Sequence, residues 1–370
     1  KDMEILNLFL REHLLLAFAL VLVSSYTISS SVFPVIIYLS HIKKLTKKPN
    51  DRSSHDKSVP TLGGLAIFIG LSITTALVTI IMGDKTEISE ILSIVTTTTI
   101  LLFIGIKDDL MEISSRKKFL TQLVAALLLI LLTGNHITDF YGLLGIHSIP
   151  RLLCIGFTVF VYILIINAYN LIDGIDGLAA GLGIVFFGFC GTYFIVNSRC
   201  IDGFLSFASI GGLVAFSRYN ISNTRKVFMG DTGSMVIGLI LTYQIVKILS
   251  IDPSIKGNYQ INNIPVVILA LLSYPLFDTL RVFIIRIKNK KSPFSADRNH
   301  IHHSLIDLGL THIQASLLVI AYTILIVGIA IITRHLEVNI HMAVILIIGI
   351  TLLSLPNYIK NKKIKECVEL

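Results

Sequence analysis

Eleven apolar stretches dominate this chain, at about 12–40, 61–82, 90–106, 118–133, 151–166, 176–195, 203–217, 232–250, 263–285, 313–333 and 338–356. Only short polar segments separate them. An α-helix needs ~20 residues to cross ~30 Å of hydrocarbon, and several of the stretches approach that length. Lipid offers no partner for an unpaired backbone group, so helices are the expected element. The ~10-residue alternation of a β-barrel strand is absent. Of 370 residues, 54% are apolar and 15% charged. A soluble domain carries about 25% charged residues, which excludes a soluble multidomain enzyme and a disordered chain. The expectation is an all-α, polytopic integral membrane protein of about eleven transmembrane helices, forming a single membrane-embedded domain over residues 1–370.

The basic residues orient these spans. With the N-terminus outside and the C-terminus cytoplasmic, the inside segments 41–60, 107–118, 218–231, 286–312 and 357–370 hold 22 of the 31 Lys and Arg, and the outside segments hold 7. That asymmetry follows the positive-inside rule. The net charge of +8 is therefore a one-sided charge, suited to anionic headgroups and anionic substrates. The basic residues are split among loops, which argues against nucleic-acid binding. Residues 1–11 lack a cleavage pattern, so the first apolar run reads as a retained span. The four cysteines (Cys154, Cys190, Cys200, Cys367) show no CxxC spacing and read as unpaired.

Five polar clusters fall on the expected cytoplasmic side, although only Lys and Arg set that orientation. Lys107-Asp108-Asp109 ends the third stretch; two adjacent carboxylates call for a cation, and oxygen ligands of this kind suit Mg²⁺. Taken alone it reads more readily as a solvated loop, where Asp-Asp is common. In Asn167-Ala-Tyr-Asn170-Leu-Ile-Asp173-Gly-Ile-Asp176-Gly177 the polar residues recur at i, i+3 and i+6, which on a helix puts Asn170 and Asp173 on one face. Acids abutting apolar spans are costly without a partner. Phe228-Met-Gly-Asp231-Thr-Gly-Ser234 offers either a helix N-cap or a metal ligand beside a helix N-terminus that holds phosphate oxygens. Asp297-Arg298-Asn299-His300-Ile-His302-His303 offers a clamp for an anionic phosphate, a zinc site, or surface histidines. The neighbouring carboxylates and the distance of any Cys favour a harder ion than zinc. Lys57-Ser-Val-Pro60-Thr-Leu-Gly63-Gly64 places a basic residue before two glycines that permit close helix packing. Together the five clusters describe a pocket for a divalent cation and a diphosphate.

These motifs, in this order from about Lys48 to Thr311, resemble the polyprenyl-phosphate N-acetylhexosamine-1-phosphate transferases. The resemblance rests on KDD (107–109), NAYNLIDGIDGLA (167–179), FMGDTGS (228–234) and DRNHIHHSLIDLGLT (297–311). It implies attack of a membrane polyprenyl phosphate on the β-phosphorus of a UDP-N-acetylhexosamine, giving polyprenyl-diphospho-sugar and UMP. It implies a Mg²⁺ requirement, with Mn²⁺ as a substitute, and a bacterial cytoplasmic membrane location with the active site on the inner face. By the same resemblance Asp231, Asp108, Asp109 and Asp173 are the metal residues. Asp108, Asp109 and Asp231 are the catalytic ones. Asn170, Asp173, Asp176, Arg298, His300, His302, His303 and Lys57 bind substrate. A homodimer is compatible by analogy alone.

The histidine loop resembles the branch that uses UDP-N-acetylglucosamine and undecaprenyl phosphate, which feeds O-antigen, common antigen, teichoic acid or capsule synthesis. Two alternatives stand beside it. One is the phospho-N-acetylmuramoyl-pentapeptide transferase of peptidoglycan synthesis, whose loop has consecutive histidines. The other is a secondary transporter, which would carry mid-span acids and repeat symmetry that this chain lacks.

Overall fold

The computed structural model describes residues 2–43, 45–47, 59–251, 259, 261–291 and 299–369. Their architecture is all-helical, with fourteen α-helices: α1 (Asp2–Glu12), α2 (Leu14–Ile42), α3 (Gly63–Met82), α4 (Lys85–Met111), α5 (Ser115–Thr133), α6 (Arg151–Leu171), α7 (Leu178–Val196), α8 (Cys200–Asn220), α9 (Gly230–Leu249), α10 (Ile264–Leu271), α11 (Ser273–Lys288), α12 (Ile301–Asp307), α13 (His312–Ile332) and α14 (Val338–Glu369). A two-residue antiparallel pairing joins Thr46–Lys47 to Val59–Pro60. Cys154, Cys190 and Cys200 are free thiols.

Every expected apolar stretch is helical, but the count of spans differs. Among the described residues nine helices are long and apolar enough to cross a membrane, or ten if the bent pair α10–α11 is one span, rather than eleven. The remaining stretch is α5, whose first turn carries Arg116, Lys117 and Lys118. The bend between α10 and α11 is 68°. Its cause is Pro275, which supplies no N–H and whose ring clashes with the carbonyl four residues back, that of Leu271, the last residue of α10.

The interior is organised around α9. Its side chains from Thr232 to Val246 are all buried, on every face of the helix, as expected of an element with no solvent or lipid side. It packs against α3, α4, α6 and α7. Outer helices such as α2, α13 and α14 present Leu15, Val23, Leu317, Ile332 and Ile347 outward, the surface a bilayer would cover. Glycines set the distance between α9 and its neighbours. A Cβ on Gly64 of α3 would collide with Gly233 Cα, and one on Gly105 of α4 would lie 2.6 Å from Thr232 Cα. The close packing expected of Gly63 and Gly64 is therefore present.

The chain just before α9 is hydrogen-bonded to the chain just before α3. Phe228 N donates to Pro60 O (2.8 Å), Gly63 N to Phe228 O and Gly64 N to Met229 O (both 3.0 Å). The starts of α3, α5 and α9 and the ends of α4 and α6 thus meet at one end of the bundle. The end of α14 reaches the same end, where Lys360 pairs with Asp307 of α12 at 2.6 Å. At the other end Arg11 of α1 donates to Met82 O (2.9 Å). Arg11 of α1 and Lys360 of α14 therefore lie at opposite ends of the bundle.

A side chain at Gly64 or Gly105 meets backbone, which no rotamer change relieves. Gly64→Leu and Gly105→Val are expected to cost about 1–3 kcal/mol or more by overpacking. A thermal-unfolding scan in detergent should show both variants melting several degrees below the parent, whereas Gly156→Ala, with nothing near its Cβ, should melt with it.

Candidate active site

The first N–H groups of an α-helix have no partner within the helix. In α9 they are taken by carboxylates from elsewhere. Asp109 Oδ1 accepts from Asp231 N (3.0 Å), and its Oδ2 accepts from Thr232 N (3.0 Å) and Thr232 Oγ1 (2.6 Å). The Gly230 N–H faces the Asp173 carboxylate and favours its ionised form. The residue before α9, Met229, supplies no side-chain cap. Asp231 is therefore not the N-cap that its Thr-Gly-Ser sequel suggests; Asp109 on α4 does that work from a different helix. Gly230 turns with φ +70°, and a Cβ there would collide with Thr61 O and the Asp109 carboxylate.

This arrangement frees the Asp231 side chain to face a polar pocket. Its Oδ1 accepts from Lys118 Nζ (2.6 Å) and from Asn170 Nδ2. Asn170 Nδ2 also donates to Ser234 Oγ (2.6 Å). Asp108 Oδ2 accepts from the same Lys118 Nζ (3.2 Å), and its Oδ1 from Ile113 N (2.7 Å). One ammonium thus bridges two carboxylates contributed by α4 and α9.

The helix α6 stops at Leu171, so Asp173 and Asp176 lie in the turn before α7 and do not share a helical face with Asn170. They part company. Asp173 turns toward α9, and burial, then the charges of Asp231, Asp109 and Asp176, push its pKa up to about 7. Asp176 turns away: its Oδ2 accepts from Lys226 Nζ (2.6 Å) and lies 3.0 Å from His312 Nδ1. Burial works against ionising Asp176, but the hydrogen bonds from His312 and Lys226 prevail and hold it below the usual carboxylate range.

The histidines are interior residues, not surface ones. His300, His302 and His303 are 5%, 1% and 9% exposed. His302 sits on the Asp173 turn, where a Cβ at Gly174 would collide with its Nε2. Burial, then the neighbouring His303, hold its pKa well below the ordinary imidazole value, so it is neutral at pH 7 and offers hydrogen bonds rather than charge. His302 thus faces the pocket as a neutral hydrogen-bonding group. Lys57 and Arg298 lie outside the described residues.

Among the described residues no three His, Cys, Asp or Glu side chains converge to hold a metal alone. The donor set still fits Mg²⁺. That ion takes one or two carboxylates and completes its shell with water and substrate phosphates. Asp108 and Asp231 are two such carboxylates, already sharing a cation in the Lys118 ammonium.

Residues 91–249 match the family described as Glycosyl transferase family 4. Over 351 residues the chain is 31% identical to the probable undecaprenyl-phosphate N-acetylglucosaminyl 1-phosphate transferase of Bacillus subtilis, covering 90% of this chain and 92% of that protein. It is 28% identical to the undecaprenyl-phosphate alpha-N-acetylglucosaminyl 1-phosphate transferases of Yersinia pestis, over 79% of this chain and 78% of that one, and of Escherichia coli K12, over 85% of each. The chain belongs to glycosyl transferase family 4. The part of this family-4 chain that matches the family holds Asp108, Asp109, Lys118, Asn170, Asp173, Asp176 and Asp231, whereas the histidine loop lies beyond it.

Several residues of the pocket went unnoticed in the sequence. Lys118 counted only as a topogenic charge, although it follows the Asp pair by ten positions. Lys226 and His312, the partners of Asp176, gave no local signal. Gly174→Ala is expected to displace His302 from the Asp173 turn. A misplacement of ~1 Å in such a site costs about 10²-fold in rate. The check is UMP release by the variant beside an unchanged melting temperature.

Proposed function

We infer that this protein transfers N-acetylglucosamine-1-phosphate from UDP-N-acetylglucosamine to undecaprenyl phosphate, giving undecaprenyl-diphospho-N-acetylglucosamine and UMP. The observation that carries the reading is the bridging of Asp108 and Asp231 by one cation, with Asn170 on Asp231 and Asp173 nearby, at the end of a membrane-embedded bundle whose His302 loop packs on the Asp173 turn. The names of the relatives support the two substrates. The excess of Lys and Arg in the loops at this end supports a cytoplasmic orientation in a bacterial inner membrane. The lipid-linked product suits the first membrane step of a surface polysaccharide.

The chemistry asks little of a base. A phosphate monoester has a second pKa near ~6, so the lipid phosphate is largely a dianion at neutral pH. Its oxygen attacks the β-phosphorus, the bond from that phosphorus to the bridging oxygen breaks, and the bridging oxygen leaves on UMP. The obstacle is repulsion between anions. Mg²⁺, when bound, supplies charge neutralisation between the diphosphate and the carboxylates. Asp108 and Asp231 are the residues that would hold it, with Asp173 close by. Lys118 keeps a positive charge at the same point and stands ready to pair with a phosphate oxygen. Asn170 fixes the rotamer of Asp231 through its shared bond with Ser234. His302, being neutral, donates or accepts a hydrogen bond without adding charge.

The test is UMP release by purified protein in detergent with undecaprenyl phosphate and Mg²⁺. UDP-N-acetylglucosamine, UDP-N-acetylgalactosamine and UDP-N-acetylmuramoyl-pentapeptide are offered separately. UMP is expected from the first alone, abolished by EDTA and by Asp231→Ala. UMP from the pentapeptide donor alone would transfer the protein to peptidoglycan synthesis. Release that persists in EDTA would remove the metal from the mechanism.

A further inference from the structure

The histidine loop is held by a helix that no motif marks. Beyond the break at Leu272, α11 carries Tyr274, Asp278 and Arg281 at i, i+4 and i+7, one stripe of the helix. All three face the loop. Tyr274 Oη lies 3.2 Å from His302 Nδ1. Asp278 is 1% exposed, and both of its oxygens are engaged: Oδ2 lies 2.8 Å from His300 Nδ1, and Oδ1 accepts from Ile301 N (3.1 Å) and Arg281 Nη2 (2.8 Å). Arg281 Nη2 also donates to Asn299 O. The rings of His300 and His302 stack nearly parallel, 11° apart with centroids at 5.5 Å. A continuous path of contacts therefore runs from Asp278 through His300 and His302 to Gly174, beside Asp173.

An ionised carboxylate only accepts hydrogen bonds, so its contact with His300 requires the proton to be on Nδ1. That leaves Nε2 as the ring atom able to act elsewhere, and it fixes the plane in which the ring stacks on His302. We propose that Asp278 is a positioning residue of the transferase: it sets the tautomer and plane of His300 and, through the ring stack, the seat of His302 on the Asp173 turn. The proposal rests on the phosphosugar transfer reading, since it assigns the histidine loop to the UDP-sugar.

Asp278→Asn separates this role from simple support of the loop. The amide keeps one oxygen for Ile301 N and Arg281, while its NH₂ group presents a donor to His300 Nδ1 and drives the ring proton to Nε2. With undecaprenyl phosphate and UDP-N-acetylglucosamine, the variant is expected to lose about 10–100-fold in kcat/KM for the UDP-sugar, the scale on which a histidine's orienting partner acts. KM for undecaprenyl phosphate and the melting temperature should not move. In a His300→Ala background the same substitution should cost nothing further, because the residue through which it acts is gone. Activity of Asp278→Asn within twofold of the parent would overturn the proposal. So would an equal further loss in the His300→Ala background, or a matching rise in KM for the lipid. Calorimetric titration with UDP-N-acetylglucosamine reads the same comparison without turnover. A parent protein that neither binds nor consumes this donor would defeat the reaction itself, and that outcome differs visibly from an active parent with an indifferent Asp278 variant.

Discussion

The structure depends on how the N-terminus of α9 is satisfied. A helix end buried among other helices cannot leave its N–H groups to water, and each unsatisfied group costs on the order of 1–3 kcal/mol. Asp109 takes those of Asp231 and Thr232, and Asp173 faces that of Gly230. The Asp109 bonds fix α4 against α9, and they form because Gly64 and Gly105 let the backbones approach. Asp231 is the second residue of the helix so held. Its position relative to Asp108 follows from the cap, since Asp108 adjoins the capping residue in sequence. The fold and the site are thus solutions to one problem.

The same cap concentrates negative charge. Asp108, Asp109, Asp173 and Asp231 all lie around one helix terminus, and the pKa of Asp173 is raised first by burial and then by the charges of Asp231 and Asp109. The positive end of the α9 dipole offsets part of that. Lys118 offsets more, bridging Asp108 and Asp231. Elsewhere in the molecule acids are dealt with by pairing: Asp176 has Lys226 and His312, and Glu90 has Lys247 at 2.6 Å. Among the described residues, Asp173 makes no such ion pair. A pocket left short of positive charge at a membrane surface is suited to receive a cation together with the phosphates that accompany it.

Much of this was legible in the sequence, and the failures have physical causes. Helices were legible because hydrophobic length is a local property, and the extra span arose where three basic residues open α5. The clusters around Asp108, Asn170 and Asp231 were legible because acids beside apolar runs are costly. What sequence spacing cannot show is which acid faces which helix. Lys118 meets Asp231 across 113 residues. Asp173 and Asp176, three residues apart, face different partners because α6 ends before either. The histidines resembled a solvated loop in their composition, yet the bend at Pro275 brings α11 over them and buries them. Asp278 itself was hidden in an apolar run, where its only local companion, Arg281, gave no sign of function.

Asp109 and Asp278 use one device twice. Each leaves its own helix to accept backbone N–H groups at the start of another: Asp109 at α9, Asp278 at Ile301, the first residue of α12. In each case the helix so capped presents a side chain to the pocket from its first turn, Asp231 in one and His302 in the other. A carboxylate whose oxygens are held by the backbone N–H groups of another helix is poorly placed to surrender them to a ligand. Acidic residues in a motif therefore divide by what their oxygens already hold. Asp109 and Asp278 hold the frame, whereas Asp108 and Asp231 share the Lys118 ammonium, which a substrate phosphate can draw away.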